Sequence, residues 1–383
     1  MLMKPAILLY GPSDKNRDML YSTKYYTSHP FLFVMINDLK YVIVGKSEIP
    51  DARKHAVGNE VLSFEDFLSF KDYVTVERRN NSSPSRLGYF SEVASSFLRQ
   101  RGVKQIFVQP DFPFKMGQVL KWHGFALKVE DSSPFFKQRL VKSEEELKAI
   151  KQSIAAAELV LGSVVEMIRK SDIHKDILYH DGLPLTSEAL RQFIRLNLYE
   201  NDFVTHNPIV SCGFDTASPH KEGSGPLKSD QPILIDIFPK SLKSNYFADI
   251  TRTVVKGRAS SDVRKVHDAV LGANELAISM VKEDVKVSSI HAAVHDLFKS
   301  RNFNTNEERD FGFVHSLGHG IGLDVHEPPN LSDNDGVLQA GNVITIEPGL
   351  YYPTIGGVRI EDVVLVRKNG CEVLTSYPRE LEL

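Results

Sequence analysis

The chain has 383 residues, 46 basic and 49 acidic side chains, and a formal net charge of −3. With 42% hydrophobic, 25% charged and 9% aromatic residues it has the make-up of a globular protein, which excludes collagen-like, disordered and disulfide-dense classes. The near-neutral balance argues against a chain whose main task is gripping a phosphate backbone, so no nucleic-acid partner is expected.

The length predicts more than one domain. Residues 6–10, Ala-Ile-Leu-Leu-Tyr, are too few for a signal-peptide core and read as a strand. Residues 31–36, 41–44, 72–77 and 105–109 also read as buried strands, with Asn37-Asp38 as a hairpin tip between two of them. Residues 89–101 read as a helix stopped by Gly102. The expectation is a small α/β domain over 1–138 and a second domain over 139–383.

Ser143 with Glu146 forms a capping-box signature. Leu147, Ile150, Ile154, Ala157, Leu161, Val164 and Ile168 then recur at spacings of three and four, one apolar helix face. Further helices are expected over 262–281 and 288–299. Strand-like runs lie at 233–238, 246–255, 343–347 and 358–366. Long helices and strands in blocks predict an α+β domain with helices on a curved, mostly antiparallel sheet. No run approaches the roughly 20 apolar residues of a membrane-spanning helix. Cys212 and Cys371 cannot make a disulfide framework; two reduced thiols in a cytoplasmic protein are the expectation.

Four acids sit where a core should be. Asp236 lies in Pro-Ile-Leu-Ile-Asp-Ile-Phe, and Asp249 in Tyr-Phe-Ala-Asp-Ile-Thr-Arg-Thr. Glu347 ends Val-Ile-Thr-Ile-Glu before Pro348-Gly349, and Glu361 lies in Gly-Val-Arg-Ile-Glu-Asp-Val-Val. A buried carboxylate is costly unless paired or bound to metal. Any one of them fits a structural ion pair, with Arg252 or Arg359 near in sequence. Four together, one per strand, point to convergence above a sheet.

Three of the 13 histidines fall in His315-Ser-Leu-Gly-His319-Gly-Ile-Gly-Leu-Asp-Val-His326. The glycines flanking His319 allow close approach of backbone or ions. Four carboxylates and one imidazole are a hard, oxygen-rich set that suits Mn, with Co or a carboxylate-bridged Zn pair as alternatives. Four negative charges call for two divalent ions, and pairs held about 3.5–4 Å apart share a hydroxide nucleophile and polarise a carbonyl. His291 and His295 have ligand spacing on a helix but lack the glutamate of the zinc-protease motif; they read as boundary or surface residues.

These motifs resemble the pita-bread metallopeptidases, the group of Xaa-Pro dipeptidases (prolidases), Xaa-Pro aminopeptidases and methionine aminopeptidases. The resemblance covers about residues 140–383. Residues 1–138 resemble a creatinase/prolidase-type N-terminal domain in size and order. The likeness implies that Asp249 and Glu361 bridge two ions, that Asp236 holds one, and that His319 and Glu347 hold the other. It implies roles for His220 (in Ser218-Pro219-His220), His315 and His326 in gripping the scissile carbonyl and stabilising the tetrahedral intermediate. It further implies Glu347 as proton shuttle, Arg359 as an orienting residue for Glu361 or its neighbours, and Thr251 as a hydrogen-bond partner of a ligand carboxylate. The implied activity is hydrolysis of Xaa-Pro bonds by a cytoplasmic homodimer acting on peptides with proline second. A methionine-aminopeptidase-like enzyme and a silent peptide-binding module are the alternatives.

Three departures stand out. Phe238-Pro239 replaces the usual Gly-Ala after the first Asp, and the stretch to Asp249 is about two residues long for the pattern. Asn245-Tyr246 stands for Gly-Tyr. The segment after His326 has no Arg to clamp a dipeptide's carboxylate, and Asn330 occupies one such position.

Overall fold

The structure, a computed structural model, describes residues 4–58, 60–79, 83–306 and 309–383. The chain divides into two compact units, Met1–Lys137 and Gln138–Leu383.

In the first unit six strands form one sheet in the order β4-β3-β2-β1-β5-β6. They are β1 (Lys4–Gly11), β2 (Phe31–Ile36), β3 (Leu39–Val44), β4 (Glu60–Ser63), β5 (Val103–Val108) and β6 (Ala126–Val129). β1, β2 and β3 pair antiparallel, whereas β4, β5 and β6 join parallel. Asn37 and Asp38 turn the β2–β3 hairpin with φ of 47° and 65°, the left-handed geometry such a two-residue tip needs. Helices α1 (Arg17–Thr23), α2 (Ile49–His55), α3 (Phe70–Arg79), α4 (Arg86–Gln100) and α5 (Phe114–Trp122) accompany the sheet. The expected strand at 72–77 is instead the body of α3. The Ser69 hydroxyl accepts from the Asp72 N–H and starts the helix, and the alternating valines fall on different faces, with Val76 51% exposed. The sheet position is taken by β4.

In the second unit α6 (Glu144–Lys170) begins at the Ser143–Glu146 capping box, and the whole expected apolar stripe is buried. A small sheet of β7 (Asp172–His174), β8 (Ile177–His180) and β9 (Leu183–Pro184) follows. Then comes α7 (Ser187–Glu200), started by its Thr186 cap and burying Leu190, Ile194 and Leu198. β10 (Phe203–Val204) pairs with β13 (Lys240–Ser241). β12 (Ile233–Ile237) runs antiparallel between β11 (Ile209–Cys212) and β14 (Ile250–Val254). α8 (Ser261–Met280) and α9 (Val287–Ser300) pack over β15 (Val343–Ile346), β16 (Gly349–Tyr352), β17 (Gly356–Arg359) and β18 (Asp362–Arg367), burying Val270, Ile290, Phe298, Ile344 and Val364. β19 (Gly370–Val373) completes the chain's last sheet, and every paired strand of this unit is antiparallel.

Two expected strands are shorter than read. Residues 246–249 form no strand, so Asp249 stands just before β14. The run 358–366 breaks at Ile360-Glu361, because the Glu361 N–H leaves the ladder and donates to the Thr251 carbonyl at 3.0 Å. Only Asp236 therefore lies inside a strand; the other three acids sit at strand ends, where the backbone can turn their side chains inward. No described helix is long and apolar enough to cross a membrane.

Candidate metal centre

Asp236 occupies the central strand β12, opposite Ile209 on one side and Thr251 on the other. Asp249 leads into β14 and Glu347 follows β15, its N–H donating to the Leu317 carbonyl at 2.8 Å. His319 lies on the adjacent loop, stitched to β15 in both directions. Its N–H donates to Thr345 Oγ1 at 3.0 Å, and the Thr345 N–H donates to the His319 carbonyl at 2.7 Å. The flanking glycines serve this stitching. A Cβ at Gly318 would stand 2.1 Å from the Thr345 carbonyl oxygen, and one at Gly320 would stand 2.3 Å from that of Pro328. They admit backbone, and neither needs a left-handed φ.

Ligand atoms of Asp249, His319 and Glu361 lie within 4.8 Å of one another. His319 Nε2 is 3.2 Å from Glu347 Oε1 and 3.8 Å from Asp249 Oδ2. Its Nδ1 is 3.1 Å from the Gly320 carbonyl, which only accepts. The neutral ring therefore keeps its proton on Nδ1, which frees Nε2 to ligate a cation; without one, a second proton on Nε2 donates to Glu347. Thr345 Oγ1 donates to Glu347 Oε1 at 3.3 Å, and Thr251 Oγ1 donates to Glu361 Oε2 at 2.8 Å. Among the described residues, Asp236 Oδ1, Asp249 Oδ1 and Glu361 Oε1 are buried without a hydrogen-bond partner. Buried carboxylate oxygens are normally satisfied; three orphans on residues that share a cavity lining with an imidazole are what a site for hard divalent cations requires.

Burial, and next the charge of Arg359, act in opposite senses on Asp236, which remains raised. Asp249 is pushed well above the usual range by burial and then by Glu361, Asp236 and Glu347. Glu361 is pushed up to about 8 by burial and the charges of Glu347 and Asp236. Burial would raise Glu347 too, but His319, His315 and Arg359 outweigh it and hold it at about 2. Burial likewise pulls His319 down, and the hydrogen bond and charge of Glu347 reverse the sign.

Arg359 does not reach Glu361. Nη2 donates to Asp236 Oδ2 at 2.6 Å, Nε to Thr251 Oγ1 at 3.2 Å, and Nη1 to Tyr351 Oη at 2.8 Å. Arg252 pairs instead with Asp362 at 2.8 Å, and its Nη1 donates to the Glu361 carbonyl, bracing the strand break. Tyr351, fully buried, was not singled out from the sequence; its signal was a tyrosine in an apolar strand four residues after Glu347. His315 Nδ1 is 2.7 Å from the Ser316 carbonyl and must carry the proton, so Nε2 accepts from Tyr351 Oη at 2.8 Å. Both His315 nitrogens are thus engaged inside the protein, and burial lowers its pKa.

His220 and His326 are exposed and line a cavity of about 600 Å³ together with His319, Glu347 and Glu361. The His326 ring meets that of His319 edge-on at 4.3 Å. Asn330 lines the same cavity, and Arg359 is the one Lys or Arg among its lining residues. Asn245, in place of Gly, has φ of 65°, a geometry asparagine tolerates, so the turn is preserved. His291 is buried against Phe313, with ring centroids 5.6 Å apart, which corrects its assignment to the boundary or surface. Cys212 and Cys371 are free thiols.

The profile of metallopeptidase family M24 matches residues 148–368. An Xaa-Pro dipeptidase of Pyrococcus horikoshii is 27% identical over 356 residues, covering 91% of this chain and 96% of that protein. An Xaa-Pro dipeptidase of Pyrococcus furiosus is 31% identical over 245 residues, covering 63% of this chain and 65% of that protein. Among solved structures, an X-Pro aminopeptidase from Thermotoga maritima superposes with a TM-score of 0.80 at 24% identity, covering 99% of this chain and 98% of that one. The prolidase from Pyrococcus horikoshii gives 0.77 at 25% identity, with coverages of 99% and 95%. The family match spans more than half of the sequence, and the likeness in fold spans nearly all of it. The chain belongs to metallopeptidase family M24 and has the pita-bread fold with an N-terminal α/β domain.

Proposed function

We propose that this M24 chain is a two-metal exopeptidase that hydrolyses Xaa-Pro bonds, with residues 1–138 as a creatinase/prolidase-like domain and 139–383 as the catalytic domain. Asp236, Asp249, His319, Glu347 and Glu361 would hold the ions, manganese first, with cobalt or zinc as alternatives. The observation that carries the reading is the set of three buried, orphaned carboxylate oxygens on residues that line one cavity with His319. Charge favours two ions: four ionised carboxylates and Arg359 sum to −3, one divalent ion would leave −1, and two with one hydroxide (+4 − 1) would balance the site. When bound, the ions supply Lewis-acid polarisation of the scissile carbonyl and activation of water.

The chain's own residues supply the rest. Glu347, ionised beside His319, takes a proton from the attacking water and returns it to the leaving proline nitrogen. His220 and His326, open to the cavity, offer N–H donors to the oxygen that gains charge in the tetrahedral intermediate. Arg359 holds Asp236, and Thr251 holds Glu361, so that neither carboxylate swings on loading. Tyr351 ties Arg359 to His315 and fixes that imidazole as part of the wall.

The reading extends to a cytoplasmic homodimer. Two free thiols support the compartment, and sedimentation of the metal-loaded protein tests the dimer. Substrate length is the open variable, since Asn330 stands where a carboxylate clamp is expected. The test is a series of Xaa-Pro, Xaa-Pro-Xaa and longer peptides with defined metal. Turnover of any member, abolished by chelator and restored by Mn or Co, supports the reading; inactivity of fully loaded protein on all of them refutes it. Glu347→Ala separates a peptidase, which loses turnover, from a binding module, which keeps peptide affinity.

A further inference from the structure

Glu327 is an acid in the cavity wall that does not belong to the metal-centre set. It is 7% exposed and follows His326 directly. Lys142 Nζ donates to its Oε1 at 2.6 Å, and Arg139 Nη2 donates to its Oε2 at 2.8 Å. The two cationic side chains are 4% and 2% exposed, so all three charges are out of water. The same Arg139 nitrogen reaches Asp324 Oδ2 at 2.7 Å, on the other side of His326. The backbone is pinned as well: the Glu327 N–H donates to the Gly320 carbonyl at 2.9 Å, beside His319. Gly322 makes room for the carboxylate, since a Cβ there would stand 2.6 Å from Glu327 Oε1.

A buried ion pair is a weak source of stability, because desolvation offsets most of the Coulomb gain; apolar residues of similar volume often serve as well or better. What charges provide that apolar residues do not is fixed direction, above all through the planar guanidinium fork. Among the described residues His326 has no hydrogen-bond partner. It is exposed to the cavity and touches His319 only edge-on. Its orientation is set by its flanks, and both flanks end on Arg139.

We infer that Glu327, clamped by Arg139 and Lys142, is a positioning residue that sets where the His326 imidazole stands in the cavity. The kinetic arm of its test rests on the exopeptidase reading; the spectroscopic arm does not.

The experiment compares Arg139→Lys, which keeps the charge and loses the fork, with Glu327→Gln, which keeps the volume. Each is made in the wild-type and His326→Ala backgrounds. In the wild-type background each should lower kcat/KM on the best Xaa-Pro peptide by about 10- to 100-fold with metal content unchanged, the cost of a misplaced contact. In the His326→Ala background the further loss should shrink to less than about 2-fold, because a residue acting through His326 has nothing left to act on. The second arm follows imidazole resonances of 15N-histidine-labelled protein, with the His326 signal identified by its absence in His326→Ala. It should broaden or shift in both variants, while the His315 signal, held by Tyr351 and Ser316, should stay.

Equal losses in both backgrounds, or an unmoved His326 signal, overturn the inference. If Glu327→Gln does not fold, Arg139→Lys decides alone in both arms. A wild-type protein without Xaa-Pro activity refutes the exopeptidase reading, and the spectra then decide the role of Glu327 by themselves.

Discussion

Removing the divalent ions should make the stability of the second unit fall as pH rises from about 6.5 to about 8, the reverse of what paired surface acids do. In the metal-free chain burial and neighbouring charge push Glu361 up to about 8, and Asp249 and Asp236 are raised in the same sense. His319 is raised as well, once Glu347 overcomes its burial. Each group binds its proton more tightly folded than unfolded. Each thus contributes stability at low pH that is lost as pH climbs through its folded value. Burial lowers His267, His315 and His326, and these act in the opposite direction below their ordinary value of 6.5. Across the window each loses at most the half proton its unfolded imidazole still holds at 6.5, which offsets no more than about 0.4 kcal/mol apiece against the acids. Glu361 alone spans 1.5 pH units at about 1.36 kcal/mol each, or about 2 kcal/mol, with the other three adding the same sign. For a unit of roughly 250 residues that corresponds to a Tm drop of about 4–8 °C. Thermal melts of chelator-treated protein at half-unit pH steps measure it directly. A manganese-loaded sample, whose acids stay ionised, should lose or reverse the slope. A stripped protein whose Tm is flat or rises across the window would refute the placement of these carboxylates in one buried cluster.

Three further outcomes follow from the geometry. Gly320→Ala forces a Cβ onto the Pro328 and Glu327 carbonyls, so Tm should fall by an amount equivalent to about 1–3 kcal/mol or more, with reduced metal stoichiometry by elemental analysis; an unchanged Tm contradicts the close approach. Arg359→Met leaves Asp236 buried beside the other acids, and urea unfolding of the metal-free form should show about 3–5 kcal/mol of lost stability. Metal loading should partly restore it, and an equal deficit in loaded protein would count against Asp236 facing the ions. Thr345→Val removes the hydroxyl between the His319 N–H and Glu347, leaving a buried donor unpaired at a cost of about 1–3 kcal/mol. Thr345→Ser should recover most of it in the same chemical-denaturation assay.

The chemistry of the site was legible in the chain because carboxylates inside apolar runs violate the ordinary placement of charge, and each violation can be read locally. Asp236, Asp249, Glu347, Glu361 and the Gly-His-Gly at His319 needed no partner to be conspicuous. The long helices were legible for the same reason: a three-four stripe and the Ser143–Glu146 cap are properties of one segment. Residues 72–77 misled, because alternating valines satisfy a strand pattern that the Ser69 cap converts to a helix. Tyr351, Thr345, Glu327, Arg139 and Lys142 gave little signal. Their importance lies largely in contacts far along the chain, such as Thr345 with His319 across 26 positions and Arg139 with Glu327 across 188. The sequence by itself determined which side chains carry the charge and which segments coil around a core, since composition and period are local. Tertiary structure alone decided that Arg359 serves Asp236 rather than Glu361, that the His319 glycines admit backbone, and that His315 is spent on Tyr351. Those outcomes depend on which strand ends meet, and strand ends meet only when the whole sheet has closed.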